Sequence, residues 1–280
     1  MFYNELSMRN INTFDGLNRL KEAERIYSKV RKLSERYYND DEIADMEGFV
    51  KEAKLLLEGT KGTETVISIF NHKKYISELD VGKEEFWGVL PLGTEMERMS
   101  KVLSLLEKGY ESFPADSVAY LANALSEIPF EHKVNVKIYY CGIRYRRTDG
   151  RPLCLFSQGI PIQYDKDRNF TYTFNYIQNV VHLIKKDFPH YWIRVSYGHK
   201  NEYVKTFQSN LKENSNRDLL SQREKEVLEL IAQDLDTKEI ANQLFISPNT
   251  VGHHRSNMIE YLGARDTTAL VQIAKMAGMI

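Results

Sequence analysis

Two helix-start signals with the same spacing lie near the C-terminus, and they constrain the fold of residues 219–280 more than any other feature of the chain. Ser221 with Glu224, and Asp236 with Glu239, each have the spacing of a capping box, in which two side chains bind the free backbone amides of one helix start. Apolar residues at helical spacing follow both boxes: Val227, Leu228, Ile231 and Leu235 after the first, and Ile240, Ala241 and Leu244 after the second. The pattern predicts two short helices joined by a tight turn.

A third helix is predicted directly after these two. Ser247 can cap it through its hydroxyl, Pro248 suits its first position because no amide donor is needed there, and Gly263 can end it. The helical period separates an apolar stripe from a polar face: Val251, Met258 and Leu262 on one side, and Asn249, Gly252, His253 and Ser256 on the other. Such a helix can enter the major groove of DNA, which makes the three helices a candidate helix-turn-helix. Periodicity alone also allows a plain helical bundle.

The sequence from Leu219 to the end resembles the LuxR-type helix-turn-helix family of bacterial transcription regulators over its whole length. The matching positions are Arg223, Glu224, Val227, Leu228, Ile231, Ala232, Lys238, Glu239, Ile240, Ala241, Leu244, Ser247, Thr250, Val251, His254, Leu262 and Gly263. The resemblance implies a four-helix module that binds double-stranded DNA at specific sequences. Two residues depart from the family pattern, because the family often has Lys at the positions of Gly252 and Tyr261.

The polar face and its neighbours supply the predicted DNA-binding residues. They are Lys238, Ser247, Asn249, Thr250, Gly252, His253, His254, Arg255 and Ser256. We expect His253 and Asn249 to contact base edges. Thr250, Lys238 and Arg255 should contact phosphates, although Arg255 can equally pair with a carboxylate of the first helix.

Charge is the main evidence against DNA binding. The whole chain has a formal net charge of −1, and residues 219–280 contain six Lys and Arg against eight Asp and Glu, a net charge of −2. Many DNA-binding domains are basic, so non-specific affinity should be modest. The acidic module and Gly252 favour an alternative function, an interaction protein with a degenerate helix-turn-helix that no longer binds DNA. The intact helix caps disfavour it.

The last predicted helix, residues 267–279, is the candidate dimer contact of this module. Leu270, Ile273, Ala274 and Ala277 should pack on the module's own core. Val271, Lys275 and Gly278 lie on an adjacent face, and a twofold axis would pair that face with itself. The family resemblance also implies pairing through this helix, so the sequence predicts a homodimer. The alternative is that Val271 simply lies at the edge of the core.

The middle of the chain predicts an antiparallel sheet. A hairpin around Asn71 is followed by several helices. Three long strands are then predicted over Val134–Arg147, Pro152–Tyr164 and Phe170–Ile184, with an Asp149-Gly150 turn between the first two. A further hairpin is predicted from Tyr191 to Ser209. The fold class is therefore α+β. The stretch YYCGIRYRRTDGRPLCLFSQGIPIQYDKDRNFTYTFNYIQNV resembles the PAS sensor fold in its order of strands and turns. The resemblance implies a sensor of a small-molecule ligand or a partner protein.

These patterns divide the chain into four parts. Residues 1–59 form an N-terminal helical segment with two helices, which either dimerise or cover the next domain. Residues 60–208 form the PAS-like sensor domain, residues 209–218 a polar linker, and residues 219–280 the LuxR-type module. The predicted function is a sequence-specific transcription regulator controlled through its sensor domain.

Other classes of protein find no support in the sequence. No nucleophile–base set, Gly-rich phosphate loop or metal cluster can be assembled, so we expect neither an enzyme nor a metal site, and no cofactor is evident. His253 and His254 are adjacent, so on a helix they diverge and cannot easily face one ion. Cys141 and Cys154 are expected to be core residues. Without a signal peptide or a spanning segment, we expect a cytoplasmic protein that does not contact membranes.

Overall fold

The computed structural model describes residues 25, 28–30, 32–33, 36, 45–57, 65–74, 76–88, 93–133, 135–166, 170–198, 202–210, 214–215 and 218–280. These residues divide into two compact units. The first, called the sheet unit, contains the described residues up to 181 together with 189–215. The second, called the helical unit, contains residues 182–188 and 218–280.

The described residues of the sheet unit are built on one antiparallel sheet of eight strands. The strands are β1 (Thr65–Asn71), β2 (Ile76–Val81), β3 (Lys137–Arg146), β4 (Pro152–Tyr164), β5 (Phe170–Asn179), β6 (Trp192–Tyr197), β7 (Tyr203–Gln208) and β8 (Asn214–Ser215). Their order is β2-β1-β5-β4-β3-β6-β7-β8, and the described helices that interrupt the sheet in sequence lie between β2 and β3. The first five strands have the order found in PAS domains, so the predicted α+β, PAS-like fold is confirmed.

Helices cover one face of this sheet. They are α2 (Lys83–Trp87), α3 (Glu95–Ser104), α4 (Phe113–Ser126) and α5 (Phe130–Lys133), and α3 begins with a capping box between Thr94 and Glu97. The core on this face combines apolar residues of β3, β4 and β6 with aromatic residues of the helices, including Phe86, Trp87 and Tyr120. Burial of this apolar area supplies the main favourable term in the folding of the unit.

The opposite face packs against α1 (Met46–Leu57). Phe49 and Ala53 of this helix are fully buried against Ile69 and Phe174 of the sheet. Val30 and Leu33, which are also helical, join the same core. Both predicted N-terminal helices therefore have a described part, while the predicted break at residues 39–41 lies outside the described residues. Dimerisation through them stays a prediction.

Two details of the sheet differ from the sequence expectation. The sequence predicts that β5 continues to Ile184, but the strand ends at Asn179, because the next residues pair elsewhere. The predicted linker 209–218 contains β8, whose Asn214 and Ser215 pair with Phe207 and Thr206 of β7. The expected turn at Asp149-Gly150 is present between β3 and β4, with Gly150 at φ 86°.

Four helices form the C-terminal part of the helical unit, as predicted: α6 (Gln222–Ile231), α7 (Thr237–Leu244), α8 (Pro248–Leu262) and α9 (Thr267–Met276). The sequence predicts Leu235 on α6, but this residue lies beyond the helix end, because the backbone turns through Asp234 at φ 65°. Helix α9 ends at Met276, earlier than predicted, so Gly278 lies after the helix at φ 61°. Within the part of the chain that is described, none of the helices has the length and apolar character needed to span a bilayer.

Candidate nucleic-acid interface

The helix starts of α6, α7 and α8 are fixed by the side chains that the sequence indicated. The Ser221 amide donates to Glu224 Oε2 at 2.8 Å, and the Asp236 amide donates to Glu239 Oε2 at 2.7 Å, so both capping boxes are complete. Ser247 Oγ accepts from the Thr250 amide at 3.0 Å. Each cap satisfies amides that would otherwise lack a partner, and each contributes about 0.5–2 kcal/mol to helix stability.

An arginine of α6 holds the end of α7. The Arg223 guanidinium donates from Nη2 to the Leu244 carbonyl at 2.6 Å and from Nη1 to Glu226 Oε2 at 2.8 Å. Leu244 is the last residue of α7, so this bond occupies a carbonyl that no helical amide can reach. The contact fixes the turn that leads from α7 into α8.

That turn contains a strained residue. Phe245 has the left-handed conformation, φ 54° and ψ 45°, and its side chain is 94% exposed. The Ile246 amide returns to the Ala241 carbonyl at 3.0 Å, which closes the end of α7. A left-handed non-glycine residue costs about 1–2 kcal/mol, and the capped helices on both sides hold the backbone in place.

Helix α8 presents the two faces that the sequence predicted. Val251, Met258 and Leu262 are fully buried, at 0% exposure. The opposite side is accessible: Ser247, Asn249, His253 and Ser256 are exposed, and Thr250, Gly252, His254 and Arg255 are half-buried. A Cβ atom placed on Gly252 would meet nothing within 4 Å. The predicted DNA-binding residues of this helix therefore lie on or beside one solvent-facing surface, which we call the α8 front.

Arg255 joins α8 to the start of α7. Its Nη2 donates to Thr237 Oγ1 at 2.8 Å. Among the described residues, this side-chain hydrogen bond of Arg255 goes to a hydroxyl of the second helix, and pairing with a carboxylate of the first helix is not observed. This bond leaves the guanidinium beside the N-terminus of α7, where the helix dipole favours an approaching anion.

Lys238 lies in the first turn of α7, and its side chain is exposed. Asp236, which caps this helix, accepts the amides of Lys238 at 2.7 Å and Glu239 at 2.9 Å. The Glu239 amide and then the Lys238 amide hold the pKa of the Asp236 carboxyl below its ordinary value. The cap is thus ionised under ordinary conditions, and its negative charge lies at the helix start, where the helix dipole favours an anion.

The last helix has the buried side that was predicted. Leu270, Ile273, Ala274 and Ala277 are all at 0% exposure. Val271 and Lys275 lie one turn apart and are half-buried. Gly278 is not on the helix, so only the first two members of the predicted dimer face share it. Asp266 caps α9 by accepting the Ala269 amide at 2.8 Å.

The sheet unit contains a second candidate site, which the sequence did not identify. Tyrosine and phenylalanine rings from α4, β3 and β7, and from the residues just before α4 and β6, meet under the helices: Tyr110, Phe113, Tyr120, Tyr140, Tyr191 and Phe207. We call this set the aromatic cluster. Tyr191 donates its hydroxyl to Asp116 Oδ2 at 2.5 Å. The Tyr120 hydroxyl is buried near the Val195 backbone, and burial raises the pKa of Tyr120.

The remaining chemical candidates are structural. Cys141 and Cys154 are both free and at 0% exposure, so the prediction that they are core residues is confirmed. Burial raises the pKa of the Cys154 thiol to about 12, which makes a thiolate inaccessible at neutral pH. Among the described residues, no group of His, Cys, Asp and Glu side chains is arranged to hold a metal ion.

Capped helices, a fixed turn between α7 and α8, and an accessible polar front on α8 together define a helix-turn-helix DNA-binding module. Residues 218–274 match the model of the family described as bacterial regulatory proteins, luxR family. The spore germination protein GerE of Bacillus subtilis (strain 168) is 47% identical over 66 residues, which are 23% of this chain and 89% of GerE. The chain belongs to the LuxR family of bacterial regulatory proteins, which are DNA-binding transcription regulators.

Other similar proteins share less of their length or less of their sequence. The transcriptional regulatory protein UhpA of Escherichia coli (strain K12) is 43% identical over 56 residues, 20% of this chain and 29% of UhpA. Among solved structures, VqmA bound to DPO has a TM-score of 0.30 and 13% identity, and the match covers 81% of this chain and 88% of that one. A VqmA–ligand–DNA complex from Vibrio cholera has a TM-score of 0.27 and 12% identity over 79% and 84% of the two chains.

Proposed function

We propose that the chain is a homodimeric, sequence-specific transcription regulator whose DNA affinity is set by an effector of the sheet unit. The observation that carries this proposal is the α8 front. It is polar, accessible, and held by the buried stripe of α8 and by the Arg223 bond to α7. The intact caps and the accessible polar front disfavour the alternative, an interaction protein with a degenerate helix-turn-helix.

The two kinds of DNA contact come from different parts of the α8 front. Asn249 and His253 are exposed one turn apart on the N-terminal half of α8, which is the part of a recognition helix that contacts base edges. Arg255 binds Thr237 at the start of α7, and Lys238 lies in the first turn of α7. These two residues and Thr250 contact phosphates. Ser247, Gly252, His254 and Ser256 border these residues and complete the surface.

The weak charge of the module supports a dimer. With a net charge of −2 over residues 219–280, one module makes few phosphate contacts, and its affinity for DNA is correspondingly low. Two modules on an inverted repeat double those contacts. Val271 and Lys275 are the half-buried residues through which α9 pairs with its copy, and Gly278 lies close to them after the helix end.

The aromatic cluster is the proposed effector site. Its rings offer apolar and aromatic contact, and its tyrosine hydroxyls are the polar groups among them. Small molecules with an apolar body and one hydrogen-bonding group fit this chemistry. A partner protein that binds the sheet unit is the second kind of effector that the PAS resemblance allows.

Selection from randomised DNA, read by sequencing, tests this function. The full-length chain should enrich an inverted repeat. Asn249→Ala and His253→Ala should each weaken binding by about 1–3 kcal/mol and relax one base position. Asn257→Ala is the matched control, because Asn257 is exposed on the same helix but lies in its C-terminal half.

The outcomes distinguish a DNA-binding regulator from an interaction protein that does not bind DNA. Enrichment by the wild-type chain, with altered preference in the two variants only, supports DNA recognition through the α8 front. Absence of any enriched sequence supports the interaction protein. Enrichment that neither variant changes would leave a DNA-binding protein whose docking on DNA differs from the one proposed.

A further inference from the structure

A short segment between β5 and β6 belongs to the helical unit rather than to the sheet unit. Residues 182–188, called the docking segment, pair with the residues that join α8 to α9. The Arg265 amide donates to the Leu183 carbonyl at 2.7 Å, and the Lys185 amide donates to the Gly263 carbonyl at 2.8 Å. Ile184 lies opposite Ala264 as an antiparallel bridge. The connection between α8 and α9 therefore pairs with the docking segment as two short antiparallel strands would.

Apolar side chains of the docking segment are buried in this contact. Leu183, Ile184 and Phe188 have exposures of 6%, 2% and 7%. The Phe188 ring lies against Gly263, so closely that a Cβ atom at Gly263 would be 2.4 Å from the ring. Lys185 Nζ also lies 2.8 Å from Glu260 Oε2, but this pair is largely exposed and contributes little stability. The hydrogen bonds and the apolar burial hold the segment.

Both ends of the docking segment are attached to strands of the sheet unit by short connections. Before it, Asn179 is the last residue of β5, and its side-chain oxygen accepts the amides of Cys154 at 3.2 Å and Val181 at 3.1 Å. After it, the Tyr191 carbonyl accepts the Ser209 amide at 3.0 Å, one residue before β6 begins. The backbone on both sides of the segment is therefore held by hydrogen bonds of the sheet unit.

We propose, on the basis of the proposed DNA-binding function, that the docking segment is a positioning device. It fixes the connection between α8 and α9. It also transmits displacements of the ends of β5 and β6 to the C-terminal end of α8 and to the start of α9. Leu183, Ile184 and Phe188 are its positioning residues. They act through Gly263, Ala264 and Arg265 and do not themselves touch DNA.

Hydrogen exchange and DNA affinity of the full-length chain test the first half of this proposal. Phe188→Ala removes the ring from Gly263, so the Arg265 amide should exchange at least about tenfold faster, because it then opens locally. Affinity for the selected DNA should fall about fivefold or more, the lower limit of typical coupling between sites, with the preferred sequence unchanged. The control replaces two exposed residues of the same segment, Lys186→Ser with Asp187→Ser, and conserves net charge.

A change on the sheet side tests the second half. Asn179→Ala removes the acceptor that fixes Val181, and it lies outside the helical unit. It should accelerate Arg265 exchange and weaken DNA binding in the same direction as Phe188→Ala. If both act through the docking segment, Asn179→Ala should have almost no further effect on DNA affinity in the Phe188→Ala background.

Each outcome supports or overturns the proposal. Faster exchange with unchanged DNA affinity would mean that the segment only packs, and would overturn it. If the fold-losses in DNA affinity caused by Asn179→Ala and Phe188→Ala multiply in the double variant, the two residues act independently. That result would overturn transmission through the segment. Failure of the wild-type chain to bind any DNA would instead contradict the proposed function, and the exchange of the Arg265 amide would still report whether the docking contact exists. Circular dichroism of each variant identifies one that is unfolded, and Phe188→Leu then replaces Phe188→Ala.

Discussion

Replacement of Gly263 by alanine tests the fit between the end of α8 and the docking segment most directly. Gly263 ends α8 with φ 68°, and its missing side chain leaves the space that the Phe188 ring occupies. Gly263→Ala therefore introduces two costs, one in the backbone and one in the packing. A second substitution, Phe188→Ala, removes the packing cost and leaves the backbone cost in place.

The size of each cost follows from the geometry. A left-handed conformation costs a non-glycine residue about 1–2 kcal/mol. The new Cβ atom would approach the buried ring to 2.4 Å, so the ring must move, and overpacking of this kind costs about 1–3 kcal/mol. In the Phe188→Ala background only the first term should remain. The two substitutions should therefore show a coupling free energy of about 1–3 kcal/mol.

Native-state hydrogen exchange is the suitable assay, because the chain has two units and a single unfolding transition is not expected. The opening free energy of amides in α8 and α9 is measured for the wild type, both single variants and the double variant. Gly109→Ala supplies the backbone cost alone in the sheet unit, since Gly109 has φ 98° and a Cβ atom added there would meet nothing within 4 Å.

Additive effects of Gly263→Ala and Phe188→Ala would refute the reasoning, because they would mean that the ring and the glycine do not share the same space. If Gly263→Ala and Gly109→Ala lowered the opening free energy by the same amount, the same conclusion would follow. Either result would also remove the Phe188 ring from the contacts that hold the docking segment, and would leave its backbone hydrogen bonds.

Three further predictions concern the helical unit. Phe245→Gly should raise the opening free energy of amides in α7 and α8 by about 0.5–1 kcal/mol in native-state hydrogen exchange, because φ 54° suits glycine and the 94% exposed ring loses no burial; a lower opening free energy would contradict this. Because the pKa of Asp236 is lowered in the folded state, the stability from its charge is present above the unfolded pKa of about 3.9 and is lost as pH falls through the lower folded value. Asp236→Asn keeps a cap but not this titration, so the opening free energy of its α7 amides should fall less between pH 7 and acid than that of the wild type; equal falls would exclude the carboxylate as the cause. Val271→Glu should leave the circular dichroism of the chain unchanged but abolish paired half-site binding, and cooperative binding by the folded variant would exclude α9 as the dimer contact.

The sequence predicted the helical unit well because its determinants are local. Ser221, Asp236 and Ser247 cap the helices that they are expected to cap, and Gly263 ends α8. Capping depends on residues within one turn of each other, so spacing alone identifies it. The sequence predicts the end of α9 too late, because Ala277 continues the apolar period although the backbone has already left the helix.

The docking segment could not be predicted in the same way. Val180, Val181, Leu183 and Ile184 follow β5 as an apolar run, and such a run predicts more strand. The partner of Ile184 is Ala264, far away in sequence, and no local pattern indicates that pairing. The aromatic cluster escapes sequence reasoning for a similar reason, because Tyr120 and Tyr191 come together only when the order of the strands is known.

The open space at Gly252 has a consequence for how this regulator changes over evolution. A Cβ atom added at Gly252 would meet no atom within 4 Å. Gly in a helix interior costs about 1 kcal/mol relative to alanine. A single substitution to Lys, the residue common in the family at this position, would therefore strengthen the helix and add a cation to the α8 front. The added Cβ atom needs no adjustment of its neighbours, so a change of residue at this position does not require an unstable intermediate.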